Sequence, residues 1–206
     1  MITDELIIAA ENLRDRVDSL GDLLVKKGLV DYSYNPLMYA WEPHKAFIEL
    51  GGGKGAKTLL LGMNPGPHGM GQMGIPFSAT SVVRDLLEIK GLEVLQPKNI
   101  HPKRPVTGLD WHKEEVSGTR IWNVLEEYYG SMEEIFSNVF IVNHCPLMLF
   151  NGERGTNITP DKISGDVVKK LLQICDEHLV QVVKIMGIKK VVGVGKYAEK
   201  RALGAL

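Results

Sequence analysis

A chain of 206 residues, 44% apolar and 24% charged, suits a single domain spanning 1–206 that buries roughly 70% of the surface its unfolded form exposes. No apolar run nears the ~20 residues that cross a bilayer, no signal peptide is read at its start, and two cysteines make neither a disulfide framework nor a metal site. These totals predict an intracellular protein with no membrane partner, and a net charge of −1 excludes a uniformly basic nucleic-acid binder.

Residues 4 to 27 place Leu6, Ile7, Leu13, Val17, Leu20 and Leu24 at helical spacing, predicting an amphipathic helix with Gly21 as a point of interruption. Residues 31 to 50 carry Tyr32, Tyr34, Tyr39 and Trp41 with Pro36 and Pro43, and read as an irregular aromatic segment. The stretch Gly51 to Thr58 nearly spells a phosphate-binding loop. Ala56 stands where the second glycine belongs, and the stretch precedes a strand instead of following one, so it reads as a surface turn.

The chain is organised around residues 58 to 77. Leu59, Leu60 and Leu61 make a short apolar run of the kind that fills a strand buried on both faces. Five glycines (Gly62, Gly66, Gly69, Gly71, Gly74) and three prolines (Pro65, Pro67, Pro76) follow within fifteen residues. Glycine lets backbone approach a ligand closely, and proline fixes the path. Asn64 sits where strand becomes loop, the lip at which open α/β sheets bind ligands. Taken alone, an Asn-Pro-Gly is as readily a plain turn.

Beyond it, Ser78 or Thr80 is placed to cap a helix bearing Val82, Val83, Leu86, Leu87 and Ile89 and closed by Gly91. Residues 92 to 116 form a long connection containing His101-Pro102-Lys103-Arg104-Pro105, and long loops in compact domains tend to be functional. A helix from Ser117 buries Ile121, Trp122, Val124, Leu125 and Tyr128. Val139 to Val142 is a second buried strand, ending at Asn143-His144-Cys145-Pro146. A loop from Asn151 to Pro160 leads into a helix from Ser164 to Met186, stopped by Gly187. Val191 to Val194 is a third strand, and Lys196 to Leu203 begins a last helix.

Strands separated by helices predict an α/β class, a three-layer α/β/α sandwich with a central, mainly parallel sheet. In such a sheet Asn64 and Asn143, both just past strand ends, face one crevice. An amide there either holds a water or reads a base edge bidentately. Each Asn taken singly is also a common way to end a strand. The turn Gly193 to Ala198 satisfies a dinucleotide fingerprint, but that motif needs a further strand and an acidic residue about 20 positions on. No nucleotide cofactor is expected. From Lys184 onward six basic residues face the single acid Glu199. They form either a solvated face or a patch that neutralises phosphate, with Lys196 at a helix N-terminus the best placed.

Residues Gly62-Met63-Asn64-Pro65-Gly66-Pro67, Gly69-Met70, Gln72, Gly74 and Pro76-Phe77 stand in the order of the first motif of the single-strand-selective monofunctional uracil-DNA glycosylases, family 3 of the uracil-DNA glycosylase superfamily. The segments Tyr39 to His44, His101 to Leu109, Val142 to Leu147 and Val191 to Ala202 are similar to that family too. The scarcity of cysteine argues against the branches that carry a four-cysteine iron–sulfur cluster. The chain departs from the pattern at His68, where the family usually has an aromatic residue.

The resemblance implies a monofunctional glycosylase acting on uracil in single- or double-stranded DNA, a monomer needing no cofactor and no metal. By the same likeness Asn64 positions the attacking water and Asn143 pairs with the edge of an extruded uracil. Phe77 stacks on that base, Met63, Gly66 and Met70 line its pocket, and Lys103 and Arg104 contact DNA phosphates. A nuclear, cytoplasmic or nucleoid location follows. The family's later His-Pro-Ser-Pro-Arg-Asn motif and the strand before it are not found before Leu206, so a truncated chain with slowed turnover is expected, its last strand missing. His68 is the better stand-in for that histidine. His144 neighbours Asn143 on the strand and points to the opposite face. Two rivals remain: a catalytically silent binder of damaged or single-stranded DNA, and a nucleotide-dependent α/β enzyme.

Overall fold

A computed structural model describes residues 1–206. The chain runs α1 (Ile2–Lys26), β1 (Tyr32–Tyr34), α2 (Pro36–Tyr39), α3 (Trp41–Gly51), β2 (Thr58–Gly62), α4 (Met70–Met73), α5 (Val116–Tyr129), α6 (Met132–Asn138), β3 (Val139–Asn143), β4 (Met148–Asn151), β5 (Thr156–Ile158), α7 (Asp166–Met186), β6 (Lys190–Gly193) and α8 (Lys196–Ala205). The leucine run forms β2, the middle strand of a parallel sheet ordered β3-β2-β6. Leu59 and Leu61 are fully buried there, as expected of a strand hydrogen-bonded on both edges and covered by side chains. Register pairs Leu59 with Phe140 and Val191, and Gly62 with Asn143. Because these strands are parallel, β2 and β3 end side by side at the same edge of the sheet.

A second sheet, antiparallel and ordered β1-β4-β5, stands apart from the first. Two of its strands correct the sequence reading. The loop expected from Asn151 to Pro160 contains β5, which pairs with β4 in a hairpin. The segment expected to be irregular at 31 to 50 holds β1, α2 and α3. Its prolines start helices instead of breaking them: Pro36 opens α2 behind Asn35, whose side chain caps Leu37 N–H at 3.2 Å, and Pro43 lies in the first turn of α3. The first turn is the one place where a helix does not need the missing N–H.

Helix α1 continues through Gly21, which is buried against Ser33 and Leu147. The helix expected over 78 to 91 shrinks to a turn of π-helix at Val82–Leu86. Neither expected cap acts as one: Ser78 Oγ is buried without a partner, and Thr80 Oγ1 donates to the Trp111 carbonyl at 3.1 Å. Glu88 and Gly91 then take positive φ values of 55° and 69°, which turn the chain away.

Helix α1 packs on α7 through Leu13, Val17, Leu20 and Leu24 against Leu171, Ile174 and Cys175. Both cysteines are free and buried, as their apolar surroundings suggest. The larger core centres on an aromatic cluster in which Phe47 of α3 meets Phe140 of β3 at 5.2 Å and Phe136 of α6 at 5.8 Å, with Trp122 of α5 6.0 Å from Phe136. Gly51 closes this cluster, since a Cβ there would overlap the Phe136 ring. Helix propensity alone predicts that Gly51→Ala stabilises α3 by up to about 1 kcal/mol. Overpacking against a ring held by three other aromatics predicts the opposite sign, a loss of about 1–3 kcal/mol, readable by urea denaturation.

Candidate active site

At the shared end of β2 and β3 lies a cavity of about 240 Å³. Met63, Asn64, Gly66, Met70, Phe77 and Asn143, six of the residues singled out by sequence, line it together. Glu115, Ser117 and Val194 complete its wall. The site thus draws on four separate stretches of chain: three follow the ends of β2, β3 and β6, which the parallel register brings together, and the fourth is the start of α5.

The loop that carries most of these residues is held by main-chain contacts. His144 N–H and Cys145 N–H donate to the carbonyls of Gly62 and Met63, each at 2.9 Å, extending the β2–β3 pairing past the strand ends. Gln72, 2% exposed, binds three main-chain groups: its Nε2 donates to the Pro67 and Pro105 carbonyls at 2.9 and 3.0 Å, and its Oε1 accepts from Thr107 N–H at 2.9 Å. It therefore ties the Gly-rich loop to the long 92–116 connection. Tyr39 Oη donates to the Gly71 carbonyl at 2.6 Å, and His44 Nδ1 donates to the Gly74 carbonyl at 2.7 Å. Gly74 ends α4 in the left-handed conformation at φ 70°, which favours glycine.

Asn64 Nδ2 donates to the Leu147 carbonyl at 3.3 Å, so its Oδ1 is left to accept from a ligand or a water. The Asn143 Nδ2 meets only the Met70 sulfur, at 3.2 Å. A thioether is a weak acceptor, so this donor is released at little cost to a better partner. Phe77 lies over the same floor with φ 52°, a backbone conformation unusual for a bulky residue and of the sort found at ligand sites. Gly62 makes the arrangement feasible: a Cβ there would overlap both Asn143 Oδ1 and the Phe77 ring.

Four candidate residues lie outside the cavity wall. His68 sits at its rim, hydrogen-bonded to Trp111. Lys103 is exposed on the long connection, and Arg104 donates through Nε to the Gly155 carbonyl at 2.8 Å. Lys196 begins α8, two residues beyond the cavity-lining Val194. His144 turns away from the cavity, as the strand alternation requires. Its Nε2 donates to Asp176 at 2.8 Å and its Nδ1 accepts from the Tyr197 hydroxyl at 2.9 Å. Burial lowers its pKa despite Asp176, whose carboxylate is paired with Arg201, so the ring is neutral.

Sequence reasoning passed over Glu115 and Ser117. The signal was there in Glu115-Val116-Ser117-Gly118: an acid ahead of a helix start, which the structure uses as the cap of α5, its carboxylate accepting from Ser117 and Gly118 N–H at 3.3 and 2.6 Å. No group of three or more His, Cys, Asp or Glu side chains is arranged to hold a metal ion.

Residues 50–205 match the Uracil DNA glycosylase superfamily. The chain is 45% identical over 178 residues to the single-strand selective monofunctional uracil DNA glycosylase of Bos taurus, covering 86% of this chain and 65% of that protein. It is 46% identical over 173 residues to the enzyme of the same name from Rattus norvegicus, covering 84% and 62%. The chain thus spans less than two thirds of the length of these relatives. A crystal structure of wild-type Pedobacter heparinus SMUG2 superposes with a TM-score of 0.59 at 21% identity, covering 84% of this chain and 69% of that one. That likeness agrees with the expected α/β sandwich.

His44, buried beneath the loop, supplies a pH test. Burial lowers its pKa from 6.5 to about 4, so it stays neutral in the folded state while the unfolded chain takes up a proton below pH 6.5. Stability is therefore full above pH 6.5 and falls as the pH drops towards about 4. The loss from His44 between pH 7 and 5 comes to about 2 kcal/mol. Urea titrations at the two pH values check it: His44→Gln, which keeps a donor for Gly74, should remove that share of the difference.

Proposed function

The chain belongs to the uracil-DNA glycosylase superfamily, and from that premise we propose that it is a monofunctional DNA glycosylase that hydrolyses the N-glycosidic bond of uracil in DNA and leaves an abasic site. The observation that carries the reading is the meeting of two differently held amides on one cavity floor. Asn143 has a donor loosely occupied by sulfur, and Asn64 has an acceptor with no protein partner. The names of the mammalian relatives point to single-stranded DNA as the substrate form.

The base must leave its stack to enter such a cavity, at a cost of a few kcal/mol. Uracil then stacks on Phe77, and Asn143 pairs with its edge, Nδ2 donating to O4 and Oδ1 accepting from N3–H. The bond between C1′ and N1 breaks with its electron pair passing to the base, so negative charge develops on uracil and positive charge on the sugar. Fixed donors, Asn143 Nδ2 and main-chain N–H groups of the Met63–Gly66 turn, stabilise the anion where it forms. Asn64 Oδ1 accepts from a water and holds it beneath C1′. The water oxygen bonds to C1′, and its proton passes to solvent. An amide is no strong base, and none is needed if bond breaking runs ahead of attack. Lys103, Arg104 and Lys196 lie outside the cavity and are suited to contact phosphates.

Release of free uracil from a uracil-containing single-stranded oligonucleotide tests the reading. Tight binding without base release would favour the silent binder instead. Asn64→Ala should lower kcat by about 100-fold with little change in substrate affinity, because misplacing the water affects only the chemical step. A parallel fall in affinity would show that Asn64 holds the base. Asn143→Asp should weaken uracil by about tenfold or more and relax base preference, since a carboxylate cannot donate to O4. An unchanged ranking of uracil over cytosine and thymine in competition binding would contradict the assignment.

A further inference from the structure

The rim of the cavity carries two rings for which the chemistry above has no use. Trp111 Nε1–H donates to His68 Nδ1 at 3.1 Å, the two ring planes differ by only 15°, and the centroids are 5.5 Å apart. An indole N–H and an imidazole lone pair both lie in the planes of their rings. A hydrogen bond between them at this distance sets the rings side by side in nearly one plane. They form a single flat tile instead of a face-to-face stack. Accepting from Trp111 also fixes the tautomer, with the proton on Nε2, and leaves His68 neutral.

This tile sits against the site already described. His68 lies between the cavity-lining Gly66 and Met70, and Trp111 four residues before the cavity-lining Glu115. The two loops are in contact, for a Cβ on Gly69 would lie 3.0 Å from Glu115 Cγ. The Thr80 hydroxyl bond to the Trp111 carbonyl anchors the far side. Both rings are half-buried.

The surroundings are cationic. Burial, then the charges of Lys113, Arg104 and His112, hold the pKa of His68 down; Lys113 is exposed two residues beyond Trp111, and the His112 ring is 4.9 Å from Trp111. Neither Arg104, Lys103 nor Lys113 is paired with a carboxylate. Of the acids nearby, Glu114 accepts from Ser81 and Glu115 caps α5, while Asp110, beside Trp111, is exposed. A flat neutral surface with an exposed lysine two residues away matches a nucleobase with its phosphate, because every base offers a π-face and every linkage a negative charge.

We propose that the His68–Trp111 tile is a subsite for the nucleotide adjoining the one held in the cavity, its base stacked on the tile and its phosphate met by Lys113. The proposal rests on the DNA reading of the cavity. It also gives a role to the histidine that departs from the family pattern, one apart from catalysis.

The test uses the full chain and a single-stranded oligonucleotide with one 2′-fluorinated deoxyuridine, whose glycosidic bond resists hydrolysis. Each neighbouring base is replaced in turn by an abasic spacer that keeps its phosphate. Wild-type protein should bind about fivefold or more weakly with the spacer on one side, and be little affected by the spacer on the other. Trp111→Ala should weaken the intact oligonucleotide by a similar factor and abolish the one-sided effect. His68→Ala, which leaves the main-chain anchor of Trp111 untouched, should do the same in part. Equal losses on both sides in the wild type, or the one-sided effect persisting in both variants, would overturn the proposal. Failure of the cavity reading shows separately, as no preference for the uracil analogue over its thymine counterpart at the central position.

Discussion

The close approach of Gly62, Asn143 and Phe77 is the constraint on which the site depends. Parallel pairing sets Gly62 beside Asn143, and the lack of a side chain at Gly62 leaves the amide oxygen and the aromatic ring in the space a Cβ would fill. Any larger residue would have to displace the Asn143 amide or the Phe77 ring, the two groups proposed to hold the base. The sheet is therefore more than a support for loops. Its last register position is part of the cavity floor, which is where ligands gather in parallel sheets generally.

What surrounds that floor is a loop short of regular structure, and such a loop is precise only if its polar main chain is satisfied. Gln72, Tyr39 and His44 do this from three directions, each buried and each bound to a carbonyl of the Gly-rich stretch or its neighbour. Two of the three come from the aromatic segment that precedes the loop, so α2 and α3 serve the site as braces. Behind Asn143, a partly buried chain of Tyr197, His144, Asp176 and Arg201 ties the residue after the strand to α7 and α8. Such a network fixes the backbone most strongly at the buried His144, where an unpaired ring nitrogen would be costly.

The two amides show how environment leaves identical side chains with different groups free. Asn64 gives its donor to a main-chain carbonyl and keeps an acceptor, as holding a water requires. Asn143 has its donor on a weak sulfur acceptor and so can offer both halves of its amide to a base. The difference arises from what each meets at the end of its strand.

The sequence by itself determined the buried strands at Leu59–Leu61 and Val139–Val142, the long amphipathic helices, the Gly- and Pro-rich loop between them and the family resemblance. These are signals of local composition and period, written in adjacent residues. It also put Asn64 and Asn143 at one site, because parallel strands must end at a common edge, and the family resemblance added Phe77, Met63, Gly66 and Met70. It misjudged 31 to 50, where proline in a first turn looks like proline in a loop, and 78 to 91, where the capping hydroxyls are engaged or buried elsewhere. Only the tertiary structure decided that Glu115 closes the cavity, that Gln72 joins two loops, and that His68 pairs with Trp111, 43 residues away. Each of those contacts joins residues far apart in the chain, and the choice among many polar partners is made by the fold that brings one of them into hydrogen-bond range.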